Sequence, residues 1–338
     1  MRALVSAIAV WLALAGMRLS AQSPFQFPTA NHALYEPGGE LRFFAPTAAD
    51  KPWTTGSFGC VRTDGRQMHE GLDIRCLQRD RHGEPTDPVL ATADGTVVYF
   101  SNKPALSNYG RYIVIRHFVE GIEVYSLYAH LSQIRAGLTA GQSVKAGEAI
   151  GVMGRTSNTG ETITRERAHV HFELNLFVNE GFAGWYKQTY PNQRNDHSIW
   201  NGMNLDGLDA REILLAEHNP TNKFSLLNYI RGQTELCRVL LRSTNFHYLK
   251  RYPMLVLPNA TAQKEGVAGY EIALNYNGVA FALLPRAASE IQGHGRIQLL
   301  SVNEAEEQAN PCRRLVVWRN GRWQLTETGL REIELLIY

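Results

Sequence analysis

Between Trp53 and about Trp200, short β-branched or aromatic runs are separated by Gly, Asn and Asp. They are Val89–Thr92, Gly95–Tyr99, Tyr112–Arg116, Glu123–Tyr128, Ala149–Met153 and His169–Leu174. Regular short runs with this punctuation predict a mainly β domain, a two-sheet antiparallel sandwich or barrel-like fold. The pattern changes near Met203. Phe224–Leu241 carries apolar residues at 224, 227, 230, 236, 239 and 240, which predicts an amphipathic helix despite Gly232. Tyr270–Tyr276 and Val279–Leu284 flank Asn277-Gly278, and Arg314–Arg319 and Arg322–Leu325 flank Asn320-Gly321. Asn-Gly between apolar runs is the strongest short hairpin signal. Thr328 onward reads as helix. The chain is thus expected to hold a β domain over 53–202 and a smaller α+β domain over 203–338. Residues 22–52, rich in Pro, Phe and Gly, read as an extended arm.

The first residues follow another logic. Arg2 precedes an apolar run from Ala3 to Met17 broken only by Ser6 and Gly16, and Leu19-Ser20-Ala21 resembles a small-residue cleavage site. Residues 1–21 therefore read as a signal peptide, and no stable membrane span is expected after its removal. The expected location is secreted, periplasmic or cell-surface. The 338 residues suit two domains. Lys and Arg number 34 against 32 Asp and Glu, and the leader holds Arg2 and Arg18, so the remainder is formally neutral. Near-neutrality argues against nucleic acid as a partner. Four Cys are too few to build a disulfide scaffold, but export permits bridges. Sequence order suggests Cys60–Cys76 and Cys237–Cys312, one of three possible pairings.

Three short motifs carry the chemistry: His69-Glu70-Gly71-Leu72-Asp73, Tyr128-Ala129-His130-Leu131 and His169-Val170-His171-Phe172-Glu173. Strand alternation places His169 and His171 on one face. Two adjacent imidazoles suit a core poorly, because buried nitrogens need partners. They suit a metal ligand beside an acid/base group. His69 and Asp73 add an imidazole and a carboxylate, with Gly71 allowing close backbone approach. Two His and one Asp leave a fourth position open, as in catalytic zinc sites, although manganese or cobalt fits the same donors. Glu173, on the strand face of His171, is placed to orient a ligand.

The order and density of these motifs resemble the lysostaphin/LytM-type zinc endopeptidases, which cut peptide crosslinks in bacterial cell walls. The matching text also includes Pro88–Val98, Tyr109–His117, Val144–Gly151 and Gly154–Thr156, so the likeness covers about residues 56–177. It implies a two-sheet antiparallel β core with one Zn2+ held by His69, Asp73 and His171. It further implies His130 and His169 flanking the attacked carbonyl, and peptidoglycan peptides as substrate. The family often places a Tyr near the oxyanion, for which Tyr125 and Tyr128 are nearby in sequence. Two stretches depart from the pattern: Leu77–Thr86, which contains His82, and the charged Glu161–Ala168. Both lie where they would reshape the substrate groove.

Other readings fare less well. A non-catalytic peptidoglycan-binding module or amidase activator on this fold would be expected to lose metal ligands, and every one is kept. A biotinyl or lipoyl carrier matches Val144–Gly151 but lacks a modifiable Lys at a hairpin tip. Cys60 as a fourth, inhibitory zinc ligand is less expected than a disulfide, and an arm lying across the groove less than a packed extension. His117 reads as structural, and His32, His197, His218, His247 and His294 as surface. The 203–338 domain shows no chemical constellation. Its Arg and aromatic residues fit a core with a solvated rim better than a glycan- or partner-binding surface, and its partner is not readable.

Overall fold

A computed structural model describes residues 24–159, 163–219, 221 and 223–338. The leader over 1–21 lies outside the described residues. Twelve strands in chain order frame the first part. They are β1 (Gly59–Arg62), β2 (Gln67–His69), β3 (Leu72–Arg75), β4 (Pro88–Leu90), β5 (Gly95–Ser101) and β6 (Arg111–Val119). They continue as β7 (Ile122–Leu131), β8 (Gln133–Ile134), β9 (Ser143–Val144), β10 (Ala149–Val152), β11 (His169–Phe177) and β12 (Leu205–Leu208). A seven-stranded antiparallel sheet runs β12-β11-β7-β6-β5-β9, with β3 also paired to β11; β4-β10-β8 forms a second sheet. Neither closes into a barrel.

Strand β11 explains the layering. All nine of its residues are buried. Val170, Phe172, Leu174 and Leu176 enter the main core, while His169, His171, Glu173, Asn175 and Phe177 alternate onto the other face. Farther along that face Tyr112, Val114, Tyr125, Leu127 and Phe177 make a smaller apolar cluster covered by Leu205 and Trp200. One end of the face is apolar and covered; the other presents polar side chains.

The second part contributes β13 (Cys237–Leu241), β14 (Gly269–Leu274), β15 (Ala280–Arg286) and β16 (Ile297–Val302), in the order β15-β14-β13-β16. Strands β17 (Val316–Arg319) and β18 (Arg322–Leu325) form the hairpin expected around Asn320-Gly321, both turn residues having positive φ. Helix Glu327–Leu336 follows, its N-terminus capped by Thr326.

Four expectations are corrected. The helix over 224–241 is only Leu226–Arg231; Gly232 caps it, and Cys237–Leu241 is a central strand. Its apolar run is flanked by β14 and β16, so burial on both sides overrides the helical spacing. The arm packs on the core but is not extended throughout. It has a short helix at Glu40–Phe43, and Phe25, Phe27, Phe43 and Phe44 lie in the main core. His197 is buried, its Nδ1 3.0 Å from the Tyr99 hydroxyl. Finally, Cys60 bonds Cys312, whereas Cys76 and Cys237 are free and buried. Cys76 and Cys237 end in the apolar core, and the β1–β2 hairpin instead meets the segment before β17.

Residues of the second part also complete the first. Leu205–Leu208 pairs with Leu174–Phe177 of β11, and one core cluster runs from Phe25 to Ile337. Among the described residues no helix is long and apolar enough to cross a membrane.

Candidate active site

The sheet register brings the three motifs together. His171 lies opposite Asp73 of β3 on one side and Ala129 of β7 on the other. Gly71 allows this approach: a Cβ there would lie 2.4 Å from the Phe172 carbonyl oxygen and 3.0 Å from His171 Cε1. His69, Asp73 and His171 are buried and present ligand atoms all within 4.8 Å of one another. Asp73 Oδ1 is 3.1 Å from His69 Nε2 and 3.0 Å from His171 Nδ1, and those two nitrogens are 3.1 Å apart.

His130 reaches the same space by a backbone irregularity. Plain alternation would send it with Tyr128 into the core. Between the pairs Arg111↔Leu131 and Ile113↔Tyr128, however, β7 has one residue more than β6. His130 sits at this bulge with φ +61°. Bulges re-aim side chains in this way, and left-handed backbone outside Gly is uncommon. The His130 and His169 rings are 4.9 Å apart, and His169 Nε2 is 3.5 Å from Asp73 Oδ1.

Each imidazole has one nitrogen fixed by an acceptor. His69 Nδ1 donates to the Ser57 carbonyl at 2.7 Å, His130 Nδ1 to Thr156 at 2.9 Å and His169 Nδ1 to Arg167 at 2.6 Å. A carbonyl only accepts, so the proton is on Nδ1 and Nε2 keeps its lone pair. His171 is reversed: its Nε2 lies 2.8 Å from Glu173 Oε1, leaving Nδ1 toward Asp73. Glu173 also accepts from Tyr109 Oη at 3.0 Å and Asn175 Nδ2 at 2.9 Å. Three donors thus converge on one buried carboxylate.

These N and O donors, with outward nitrogens held by carbonyls and a carboxylate, fit a zinc-type divalent ion. Burial raises the Asp73 pKa, but His169, His69 and Arg62, with the His171 hydrogen bond, outweigh it and hold the carboxyl well below its ordinary range. Arg62 Nη2 contacts Asp73 Oδ2 at 2.5 Å, leaving Oδ1 toward the imidazoles. Burial, then the neighbouring His169 and His171, push His130 well below 6.5. Burial also lowers His169, against the attraction of Asp73. Against burial, hydrogen bonds to Asp73 and Glu173 raise His171 to about 10. Both histidines outside the ligand triad are thus neutral near pH 7, as acceptance of a proton requires.

The five residues open on a cavity of about 450 Å3, also lined by Thr47, Arg62, Glu70, Tyr109, Ile163 and Arg167. Residues 67–181 match the sequence model of peptidase family M23. Over that span the chain is similar to the M23 peptidases. Over 109 residues it is 35% identical to an uncharacterized metalloprotease of Haemophilus influenzae, covering 32% of this chain and 18% of that protein. It is 37% identical over 106 residues to the murein hydrolase activator NlpD of Escherichia coli, 31% of this chain and 22% of the relative. With the L-Ala--D-Glu endopeptidase of Bacillus subtilis it shares 28% identity over 158 residues, 46% and 44% of the two chains. The chain thus spans less than half the length of these curated relatives. Among solved structures, the catalytic domain of lysostaphin from Staphylococcus simulans is 26% identical over 35% of this chain and 74% of that one, with a TM-score of 0.25.

Two placements within residues 67–181 differ from expectation. Tyr128 is a core residue: its ring packs on Phe172, and its hydroxyl accepts the Thr92 N–H at 2.8 Å. Tyr125 belongs to the small apolar cluster, its hydroxyl bonded to Glu123 and Arg251. The tyrosine at the cavity is Tyr109, with Tyr112 below it. Nothing in the spacing of the motifs singles out Tyr109, because the β6 edge and Glu173 meet only in the folded sheet. Cys60, held by its disulfide, is no thiolate ligand. His117 is structural as expected, bonded to Asp94 O and Ser126 Oγ.

Proposed function

We propose that this protein is an exported zinc metalloendopeptidase that hydrolyses amide bonds in peptidoglycan crosslink peptides. The observation that carries the proposal is the convergence of His69, Asp73 and His171 on one point with His130 and His169 alongside. The ligand triad would hold zinc, which when bound lowers the pKa of a water toward about 7 and polarises a carbonyl. His130 and His169 turn Nε2 into the cavity, so one neutral imidazole accepts the proton of the attacking water. Once protonated, that imidazolium stabilises the tetrahedral intermediate or returns the proton to the departing amine. The carbonyls of Thr156 and Arg167 keep both rings in the tautomer this requires. Tyr109, its hydroxyl given to Glu173, holds the carboxylate that orients His171.

A second reading, an activator of other wall hydrolases, is favoured by the likeness to NlpD. Digestion of purified crosslinked peptidoglycan, followed by mass spectrometry, separates the two. New peptide ends from the zinc-loaded protein, lost with chelator or in His171→Ala, are expected. Unchanged muropeptides from metal-loaded protein would favour the activator.

A further inference from the structure

The three ligand residues do not share one sheet. Asp73 and His171 face each other across β3 and β11 of the seven-stranded sheet, whereas His69 ends the separate two-stranded sheet β1–β2. A two-stranded hairpin is marginal by itself in water, so contacts from outside it must fix His69 against the other two ligands. Ser57, just ahead of β1, fixes the ring, and Arg62 meets Asp73. From late in the chain, two consecutive residues grip the segment on either side of His69. Cys312 bonds Cys60 of β1, and its Sγ lies 3.8 Å from Sδ of Met68, the residue before the ligand. Arg313 brings Nη1 to 3.8 Å from Oε1 of Glu70, the residue after it. That guanidinium is itself held from behind. Its Nε donates to the Asn277 carbonyl at 3.3 Å, and Nη2 lies 3.9 Å from Glu332 Oε2 on the last helix. The similarity to the M23 peptidases ends at residue 181, so neither Cys312 nor Arg313 falls within it.

We propose that Cys312 and Arg313 are positioning residues for His69, so that the second half of the chain sets how tightly the triad holds a divalent ion. Groups behind a metal ligand commonly change affinity by about 10–100-fold when removed. A bridge that only stabilises the fold acts chiefly by restricting the unfolded chain, which leaves the metal affinity of the folded protein untouched. Affinity measured on folded protein therefore separates positioning from plain stability. The proposal rests on the metal reading of the triad.

Zinc affinity of the full-length chain is measured by chelator competition, at a temperature where circular dichroism shows each variant folded. Absorption of the cobalt(II)-loaded protein reports ligand geometry. Arg313→Gln, and separately Cys60→Ala with Cys312→Ala, should each weaken zinc about tenfold or more and shift the cobalt bands. Arg313→Lys keeps the charge and should bring affinity back to within about threefold of the wild type. Ile272→Val, a core truncation on β14, should lower the unfolding midpoint and leave affinity and bands unchanged. Affinity within about twofold of the wild type in either tether variant overturns the paired grip, however far stability falls. Where a tether variant does not fold, Glu70→Gln removes the ionic contact and Met68→Ala the sulfur contact, with the same two outcomes. Failure of the wild type to bind zinc defeats the metal reading instead. His69 placement is then read by NMR from its Nδ1 proton, bonded to the Ser57 carbonyl. Faster solvent exchange of that proton in Arg313→Gln supports the proposal, and unchanged exchange overturns it.

Discussion

At the scale of single residues, the candidate site depends on groups behind the histidines. Glu173 holds His171 Nε2, so Glu173→Gln keeps the shape but weakens the acceptor. Zinc affinity should fall about 10–100-fold, measured by chelator competition. An unchanged affinity would mean that His171 is oriented by the sheet alone. His117 allows a separate test away from the cavity. Burial, only partly offset by its bond to the Asp94 carbonyl, pushes its pKa from 6.5 down to about 4. Between those values the unfolded chain binds a proton that the folded chain refuses. Stability present above pH 6.5 is therefore lost as pH falls toward 4, by about 3 kcal/mol at 1.36 kcal/mol per pH unit. Urea unfolding at pH 7 and pH 4.5 should show a smaller decline in His117→Gln than in the wild type. Parallel declines would assign the acid sensitivity to other groups.

At the scale of elements, two tethers support the cavity. The disulfide Cys60–Cys312 joins the β1–β2 hairpin, which carries Arg62 and His69, to a segment 252 residues later. Closing so long a loop restricts the unfolded chain, so Cys60→Ser with Cys312→Ser should cost about 2–5 kcal/mol. Chemical denaturation of oxidised and double-mutant protein reads this directly. The second tether is Glu84. Glu84→Gln leaves Arg155 and Arg165 without their shared anion and should speed proteolytic cutting between residues 155 and 167, with the global transition little moved. Cutting at the wild-type rate would show that the bonds from Arg79 to the Arg165 and Glu166 carbonyls suffice to hold this segment. His130 illustrates a limit of pattern reading at this scale. Its motif was visible, but period-two alternation alone would have pointed it into the core; the bulge opposite β6 decided otherwise.

At the scale of the whole molecule, the boundary drawn near residue 203 crosses a continuous structure. Strand β12 closes one edge of the sheet, and Asn277 Nδ2 donates to the Gly207 carbonyl at 2.8 Å. Asn179 Nδ2 reaches the Leu335 carbonyl at 2.7 Å near the far end of the chain. A chain cut after residue 202 would expose the edge of β11 and lose the disulfide partner of Cys60. It should not give the cooperative thermal transition of the full chain, as calorimetry would show; an unchanged transition would establish 53–202 as an independent domain. The sequence by itself determined the local terms. Alternation put His169 and His171 on one face, the Asn-Gly turns set two hairpins, and the donor types suit a divalent ion. Those depend on neighbours a few residues apart. Tertiary structure alone decided the pairing of Cys60 with Cys312, the choice of Tyr109 over Tyr128 and the aim of His130. Each requires strands distant in sequence to come into register, and only burial and hydrogen bonding across the whole fold fix that register.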